Sequence, residues 1–286
     1  MHADARSPIG VFDSGVGGLS VLQALREALP RERFVYYADT AHAPYGERGD
    51  AYVLARTLAV ANDLVEGRGV KALVVACNTA TAAAIHELRA LWPGLPIVGV
   101  EPALKPAVAA SRTGRIAVLA TRGTLASAKF RRLQETAAPR AQVAAVPCDG
   151  LADAIERADA AETEALCARY MQAAGPFGAG AGETDTVVLG CTHYPFATGV
   201  LRRHAPASVR FLDTGAPVSL RTRQLLAEAG LLAGPGAAGG IELTGSGDLP
   251  ALEAAARRWL APAPGAQVSK DTDPAQRVTP QALPAA

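Results

Sequence analysis

Val74-Val75-Ala76-Cys77-Asn78-Thr79 and Val188-Leu189-Gly190-Cys191-Thr192-His193 are two versions of one phrase: an apolar run, then a cysteine among small and polar residues. Apolar runs of this kind are what strands buried on both faces present. A second pair precedes them. Ile9-Gly10-Val11-Phe12-Asp13-Ser14, running on to Ser20, aligns with Ile116-Ala117-Val118-Leu119-Ala120-Thr121, running on to Ser127. Order is preserved and the offsets are nearly equal. Each half of the chain therefore offers a strand ending in a hydroxyl or carboxylate loop, then a strand ending in a cysteine loop. The repeat predicts two similar α/β lobes related by an approximate two-fold, with mainly parallel sheets and a cleft between them.

Outward from these phrases the same alternation continues. Strands are expected at residues 9–12, 34–37, 72–76, 97–100, 115–119, 143–146, 186–189 and 209–212. Between them, helices are expected at 19–28, 50–66, 80–91, 104–111, 128–136, 162–171 and 218–229. The run 209–212, with Asp213-Thr214-Gly215 after it, is expected to return the chain to the first lobe. That divides the chain into residues 1–98 plus 209–260 and residues 99–208. Residues 175–183 are rich in Gly and Ala and read as a flexible loop. From Ala261 onward there is almost no apolar pattern, and residues 261–286 read as a disordered tail.

Composition excludes several classes. The 286 residues carry a net charge of +1 with no dense basic block, so neither nucleic acid nor an anionic membrane is an expected partner. Short groups such as Arg131-Arg132, Arg202-Arg203 and Arg257-Arg258 read as solvated helix faces. No apolar stretch suits a membrane span, and the start, with His2, Asp4 and Arg6, has no signal-peptide pattern. The expectation is a soluble cytoplasmic protein. Four cysteines, Cys77, Cys148, Cys167 and Cys191, are too few for a disulfide framework and lack zinc spacing. They are expected as free thiols, with no metal.

In open parallel sheets, ligands bind beyond the carboxyl ends of the strands. Cys77 and Cys191 both fall there, each just before a helix whose N–H groups and dipole favour thiolate. Taken singly, each could be a plain buried thiol. As a matched pair facing one cleft, they suit a reaction that treats both faces of a substrate carbon alike. Racemisation at Cα is such a reaction: one thiolate removes the proton from one face and the opposite thiol delivers one to the other. A thiol with a reference pKa of about 8.5 can reach either protonation state near neutral pH. Asp13 is placed to act on Cys77, and His193 on Cys191, unless the first merely caps a helix and the second bonds locally. The glycines in Gly15-Val16-Gly17-Gly18 lack both the GxGxxG spacing and the Walker lysine, so a tight turn bringing amides to a carboxylate explains them. Tyr45 and Gly46, in Pro44-Tyr45-Gly46, either orient a small polar substrate or form a simple turn.

Four segments together resemble the glutamate racemase family, in the family's order: Asp13-Ser14-Gly15-Val16-Gly17-Gly18-Leu19-Ser20, Ala38-Asp39-Thr40-Ala41-His42-Ala43-Pro44-Tyr45-Gly46, Ala76-Cys77-Asn78-Thr79-Ala80 and Gly190-Cys191-Thr192-His193-Tyr194-Pro195. The resemblance runs from Ile9 to about residue 229. It implies a two-lobed racemase that uses neither pyridoxal phosphate nor metal. It also implies D-glutamate supply for peptidoglycan, hence for cell wall biogenesis and cell shape, and it is compatible with a homodimer. By position, Cys77 and Cys191 match the two acid/base thiols, the first deprotonating the D-enantiomer and the second the L-enantiomer. Asp13 and His193 match the auxiliary groups. Ser14, Tyr45, Gly46, Asn78, Thr79, Thr121, Thr124, Thr192 and His193 match substrate contacts, as does Asp13. Glu156 aligns with a carboxylate that assists near the second cysteine. The chain departs from the pattern just upstream, where Cys148-Asp149-Gly150 stands in place of Cys-Pro and a bulkier residue, so Glu156 is alternatively a surface residue of a helix. Cys148 matches a common non-catalytic position, and Cys167 matches nothing.

Three rival readings share parts of this pattern. Aspartate racemase and related cysteine-pair isomerases have the same architecture. A hydrolase or amidotransferase with a Cys–His pair would need one cysteine rather than two. A non-catalytic binding module would have no use for both thiols and both auxiliary groups.

Overall fold

Every residue of strands β1 (Ile9–Asp13) and β3 (Ala72–Val75) is buried, as helices on both faces of a parallel sheet require. A computed structural model describes residues 4–260 of the chain; the expected tail, residues 261–286, lies outside the described residues. The first half continues the alternation with helix α1 (Leu19–Ala28), β2 (Arg33–Ala38), α2 (Asp50–Asn62), α3 (Asn78–Leu91) and β4 (Ile97–Gly99). The second runs α4 (Leu104–Ala110), β5 (Arg115–Ala120), α5 (Arg122–Ala126), α6 (Ala128–Ala137), β6 (Gln142–Pro147), α7 (Leu151–Glu156), α8 (Ala160–Ala174), β7 (Thr186–Leu189), α9 (Thr198–Arg203) and β8 (Arg210–Leu212). It is followed by α10 (Gly215–Glu228), β9 (Gly240–Gly245) and α11 (Leu249–Trp259).

The strands form two wholly parallel sheets, ordered β4-β3-β1-β2-β9 and β6-β5-β7-β8. Reversing the second gives β8-β7-β5-β6, which matches β4-β3-β1-β2 strand for strand. The repeat visible in the sequence is therefore a repeat of topology, and the chain has the expected two-lobe α/β architecture.

One boundary is corrected. Residues 209–212 do not return the chain to the first lobe: β8 pairs with β7, Thr186 opposite Arg210 and Val188 opposite Leu212. It is the counterpart of β4, and without it the buried β7 would leave one side of its backbone unpaired. The return is made by α10, whose Val218 and Leu226 join Leu19, Leu22 and Leu25 of α1 in the first lobe's core. Strand β9 then extends the first sheet beyond β2. It lies so close to its neighbour that a Cβ on Gly245 would stand 2.2 Å from the Ala38 carbonyl oxygen, a position only glycine can fill. Helix α11 closes the lobe and stacks Trp259 on Phe196, ring centroids 4.3 Å apart. Phe196 packs against the cores of both lobes, so this ring pair sits at their junction. Among the described residues, no helix is long and apolar enough to cross a membrane. Residues 175–183 form a loop closed by a bridge between Phe177 and Thr184.

At the amino ends of the first sheet's strands lies a buried ion pair, Lys71 Nζ to Glu32 Oε2 at 2.5 Å. Lys71 also donates to the Ala5 carbonyl (2.7 Å), and Glu32 Oε1 accepts from the Ala233 N–H (2.8 Å). Removing one partner strands a charge in the core. Lys71→Met is expected to cost about 3–5 kcal/mol in urea denaturation, and adding Glu32→Gln should recover much of it. A double variant as unstable as the single would show that packing, not charge, holds this corner.

Candidate active site

The carboxyl ends of β1, β3, β5 and β7 converge on one cavity of about 300 Å³. Their register explains why. Phe12 pairs with Val75, and Leu119 pairs with Leu189. Cys77 lies two residues beyond Val75, and Cys191 two beyond Leu189. The thiols thus occupy equivalent places in the two lobes, and both line the cavity, 6% and 8% exposed. The same cavity brings together every other candidate site residue: Asp13, Ser14, Tyr45, Gly46, Asn78, Thr79, Thr121, Thr124, Glu156, Thr192 and His193.

The surroundings of the two thiols differ. Cys77 is the N-cap of α3, where its sulfur accepts from the Ala80 N–H at 3.5 Å and lies 3.7 Å from Ser14 Oγ. Burial pushes its thiol pKa well up and the nearby Asp13 charge adds to that, outweighing the amide and the hydroxyl. The expected preference for thiolate at a helix start is therefore overridden here, and Cys77 rests as a neutral thiol. Asp13 is itself fully buried. Its Oδ2 accepts from the Gly18 N–H at 2.6 Å, while Oδ1 has no partner. Burial raises its pKa to about 6 against the opposing pull of His193. At neutral pH a carboxylate with an open oxygen thus stands near a protonated thiol.

Cys191 has a different neighbour. Its sulfur is 3.7 Å from His193 Nδ1, and His193 Nε2 is 2.5 Å from Glu156 Oε2. Both Glu156 oxygens also accept from the Val16 N–H of the opposite lobe, at 3.2 and 3.1 Å. Burial works against the imidazolium, but hydrogen bonds to Cys191 and Glu156 outweigh it and hold the His193 pKa well above its ordinary value. Burial likewise works against the Glu156 carboxylate, and the bond from His193 prevails, keeping its pKa below the usual range. Glu156, open in the sequence between site and surface, thus lines the cavity beside His193, at the end of α7.

The glycine loop now has its explanation. A Cβ on Gly17 would fall 2.3 Å from His193 Nδ1, and one on Gly15 would fall 2.7 Å from a Glu156 oxygen. The carboxylates served by its amides are the chain's own, Asp13 and Glu156.

Other polar groups are either occupied or open. The Tyr45 hydroxyl donates to Asp39 Oδ2 at 2.5 Å, and Arg56 grips the same carboxylate through Nε and Nη2 at 3.0 and 2.8 Å. The hydroxyl proton of Tyr45 is therefore committed to Asp39 rather than to a ligand. Thr121 Oγ1 donates to Thr124 Oγ1 at 3.0 Å and caps α5 by accepting from the Thr124 N–H. Both ends of the Asn78 amide are buried without a partner, so they are free to meet a bound molecule. Sequence reasoning missed Asp39 and Arg56, and also Arg122 and Asp149, which pair with each other on the cavity wall. Cys148 lines the cavity, but burial raises its pKa, and its thiol bonds the Val146 carbonyl. Cys167 lies in the second lobe's core, its thiol pushed up to about 12 by burial. Among the described residues, no group of three His, Cys, Asp or Glu could hold a metal ion.

A family model described as Asp/Glu/Hydantoin racemase matches residues 9–217. A glutamate racemase of Stutzerimonas stutzeri is 49% identical over 233 residues, covering 81% of this chain and 86% of its own. The solved glutamate racemase of Bacillus anthracis superposes with a TM-score of 0.80 at 27% identity, covering 93% of this chain and 98% of its own. That of Thermus thermophilus, in complex with beta-chloro-D-alanine, gives 0.74 at 33% identity with the same coverage. Matched over most of its length in sequence and in fold, the chain belongs to the aspartate/glutamate/hydantoin racemase family.

Proposed function

We propose that this chain interconverts L- and D-glutamate by moving protons at Cα between two thiols, without a cofactor. The observation that carries the reading is the placement of Cys77 and Cys191 at equivalent strand ends of two lobes, lining one cavity. Glutamate as the substrate is supported by the relatives, which are named glutamate racemases at close to half identity.

In the D-to-L direction, the Asp13 carboxylate draws the proton from the Cys77 thiol, and the sulfur takes the Cα proton. The carbanion so formed is reprotonated on its other face by Cys191. In the opposite direction the Cys191 sulfur, its proton held by the His193 imidazolium beside Glu156, takes the Cα proton, and the Cys77 thiol reprotonates the carbanion on its other face. The imidazolium at the cleft also stabilises negative charge as it develops on the substrate. The unpartnered Asn78 amide offers a donor and an acceptor that can hold the substrate while Cα changes hands. The matched second cysteine favours this two-base scheme over a hydrolase with a single nucleophile. D-Glutamate made in this way would supply peptidoglycan synthesis, and the same reading assigns the enzyme to the cytoplasm.

Incubating metal-stripped protein with either enantiomer in D2O should give loss of circular dichroism together with deuterium at Cα. Cys77→Ser and Cys191→Ser should each lower racemisation by at least about a hundredfold while the thermal unfolding curve hardly moves, since general acid–base steps are worth that much. Full two-way turnover by either variant would refute the two-base scheme, and activity on aspartate alone would reassign the substrate.

The raised Asp13 pKa gives a pH signature. In the D-to-L direction kcat/KM should climb as pH rises through about 6, where Asp13 loses its proton, and Asp13→Asn should remove that limb. Stability should run the other way. The folded chain keeps on Asp13 a proton that the unfolded chain releases near the ordinary value of 3.8, so this group favours the fold at low pH. That advantage fades as pH rises from about 4 to about 6. A stability profile that is unchanged in Asp13→Asn would contradict the shift.

A further inference from the structure

With glutamate as the proposed substrate, the cavity poses a charge problem, and the role inferred for Arg122 rests on that substrate being the right one. Asp13, Glu47, Asp149, Asp153 and Glu156 are among the residues lining the cavity, and Arg122 is the one arginine or lysine among the described residues that lines it, with Asp153 paired to Arg157 outside it. The His193 cation is engaged with Glu156. An anionic substrate entering such a wall meets mostly acidic residues, and Arg122 is the cation at the cavity that is not already buried against a catalytic thiol, as His193 is.

Arg122 opens α5 directly after Thr121, and its Nη2 donates to Asp149 Oδ2. The two side chains are 69% and 53% exposed, so both stand where the cavity meets solvent. A pair this exposed is held weakly, because water screens both charges. Another carboxylate can displace Asp149 at little cost, and the planar guanidinium fork suits two carboxylate oxygens at once. The substrate's orientation decides which carboxylate that is. Its Cα must lie between the thiols, at the buried end of the cavity, and the α-carboxylate stays there with it. The side-chain carboxylate, further along the molecule, is the one that reaches the rim. We infer that Arg122 recognises the side-chain carboxylate of the substrate, and that Asp149 is an internal stand-in that the substrate displaces on binding.

The two partners should then respond in opposite directions. Arg122→Gln should raise KM for both glutamate enantiomers about tenfold or more, as loss of a charged hydrogen bond does, with kcat falling far less. Arg122→Lys should recover part of the loss. Asp149→Asn should lower KM by freeing the guanidinium. The decline of kcat/KM with added NaCl should be clear in the wild type and shallower in Arg122→Gln. Thermal unfolding should differ little among the variants, since both side chains face solvent. If Arg122→Gln and Asp149→Asn raise KM alike, the pair is a structural clasp and the inference falls. It falls equally if Arg122→Gln keeps the wild-type KM and salt dependence. A wild-type protein that turns over aspartate but not glutamate would overturn the substrate reading beneath it, and that outcome is seen before any variant is made.

Discussion

The N–H of Val16, reaching across the cleft to both oxygens of Glu156, is the contact on which the site depends. It ties the first strand-end loop of one lobe to the last turn of a helix in the other. Glu156 in turn holds Nε2 of the His193 ring, and Nδ1 of that ring turns to Cys191. None of this is possible unless the backbone around Val16 comes within a few ångström of an imidazole and a carboxylate, which the glycines beside it permit. A single amide of the first lobe thus anchors the carboxylate that holds the imidazole beside Cys191.

The frame is symmetric but its chemistry is not. In the repeat, the position of Asp13 is taken by Ala120, and that of His193 by Thr79. Each thiol therefore has an ionisable neighbour with no counterpart in the other half. Beside Cys77 lies a desolvated carboxylate whose pKa is raised to about 6; beside Cys191 lies an imidazole whose positive charge a carboxylate sustains. At Cys77 the difficulty is a sulfur too buried to ionise unaided. The groups beside the two thiols thus carry opposite charges.

Much of this was legible in the chain itself, because parallel strands buried on both faces announce themselves as apolar runs and their ends fall at a shared rim. All eight expected strands form, and the paired cysteines meet as the repeat requires. What escaped is non-local. β9 alternates Glu242 and Thr244 with apolar residues on a half-buried edge, and its place is set by how closely Gly245 fits against Ala38. α5, α7 and α9 are each five or six residues long, too short for a helical period to show. The lobe of β8 could be assigned only by seeing that β7 needs a partner as β3 needs β4. Glu156 carries no local motif, and it was the family resemblance that pointed to it. Asp39 lay in a segment already under scrutiny, but a carboxylate that holds a tyrosine's proton leaves no trace in spacing.

The late return of α10, β9 and α11 to the first lobe has a consequence for how the chain is made. The second lobe is contiguous, from α4 to β8, and can close its sheet as soon as it leaves the ribosome. The first lobe is interrupted. Leu19, Leu22 and Leu25 of α1 wait uncovered until Val218, Leu226 and Leu252 are synthesised. A nascent chain halted after β8 would hold one finished lobe beside another with an open apolar face, and only the last stretch of synthesis covers it.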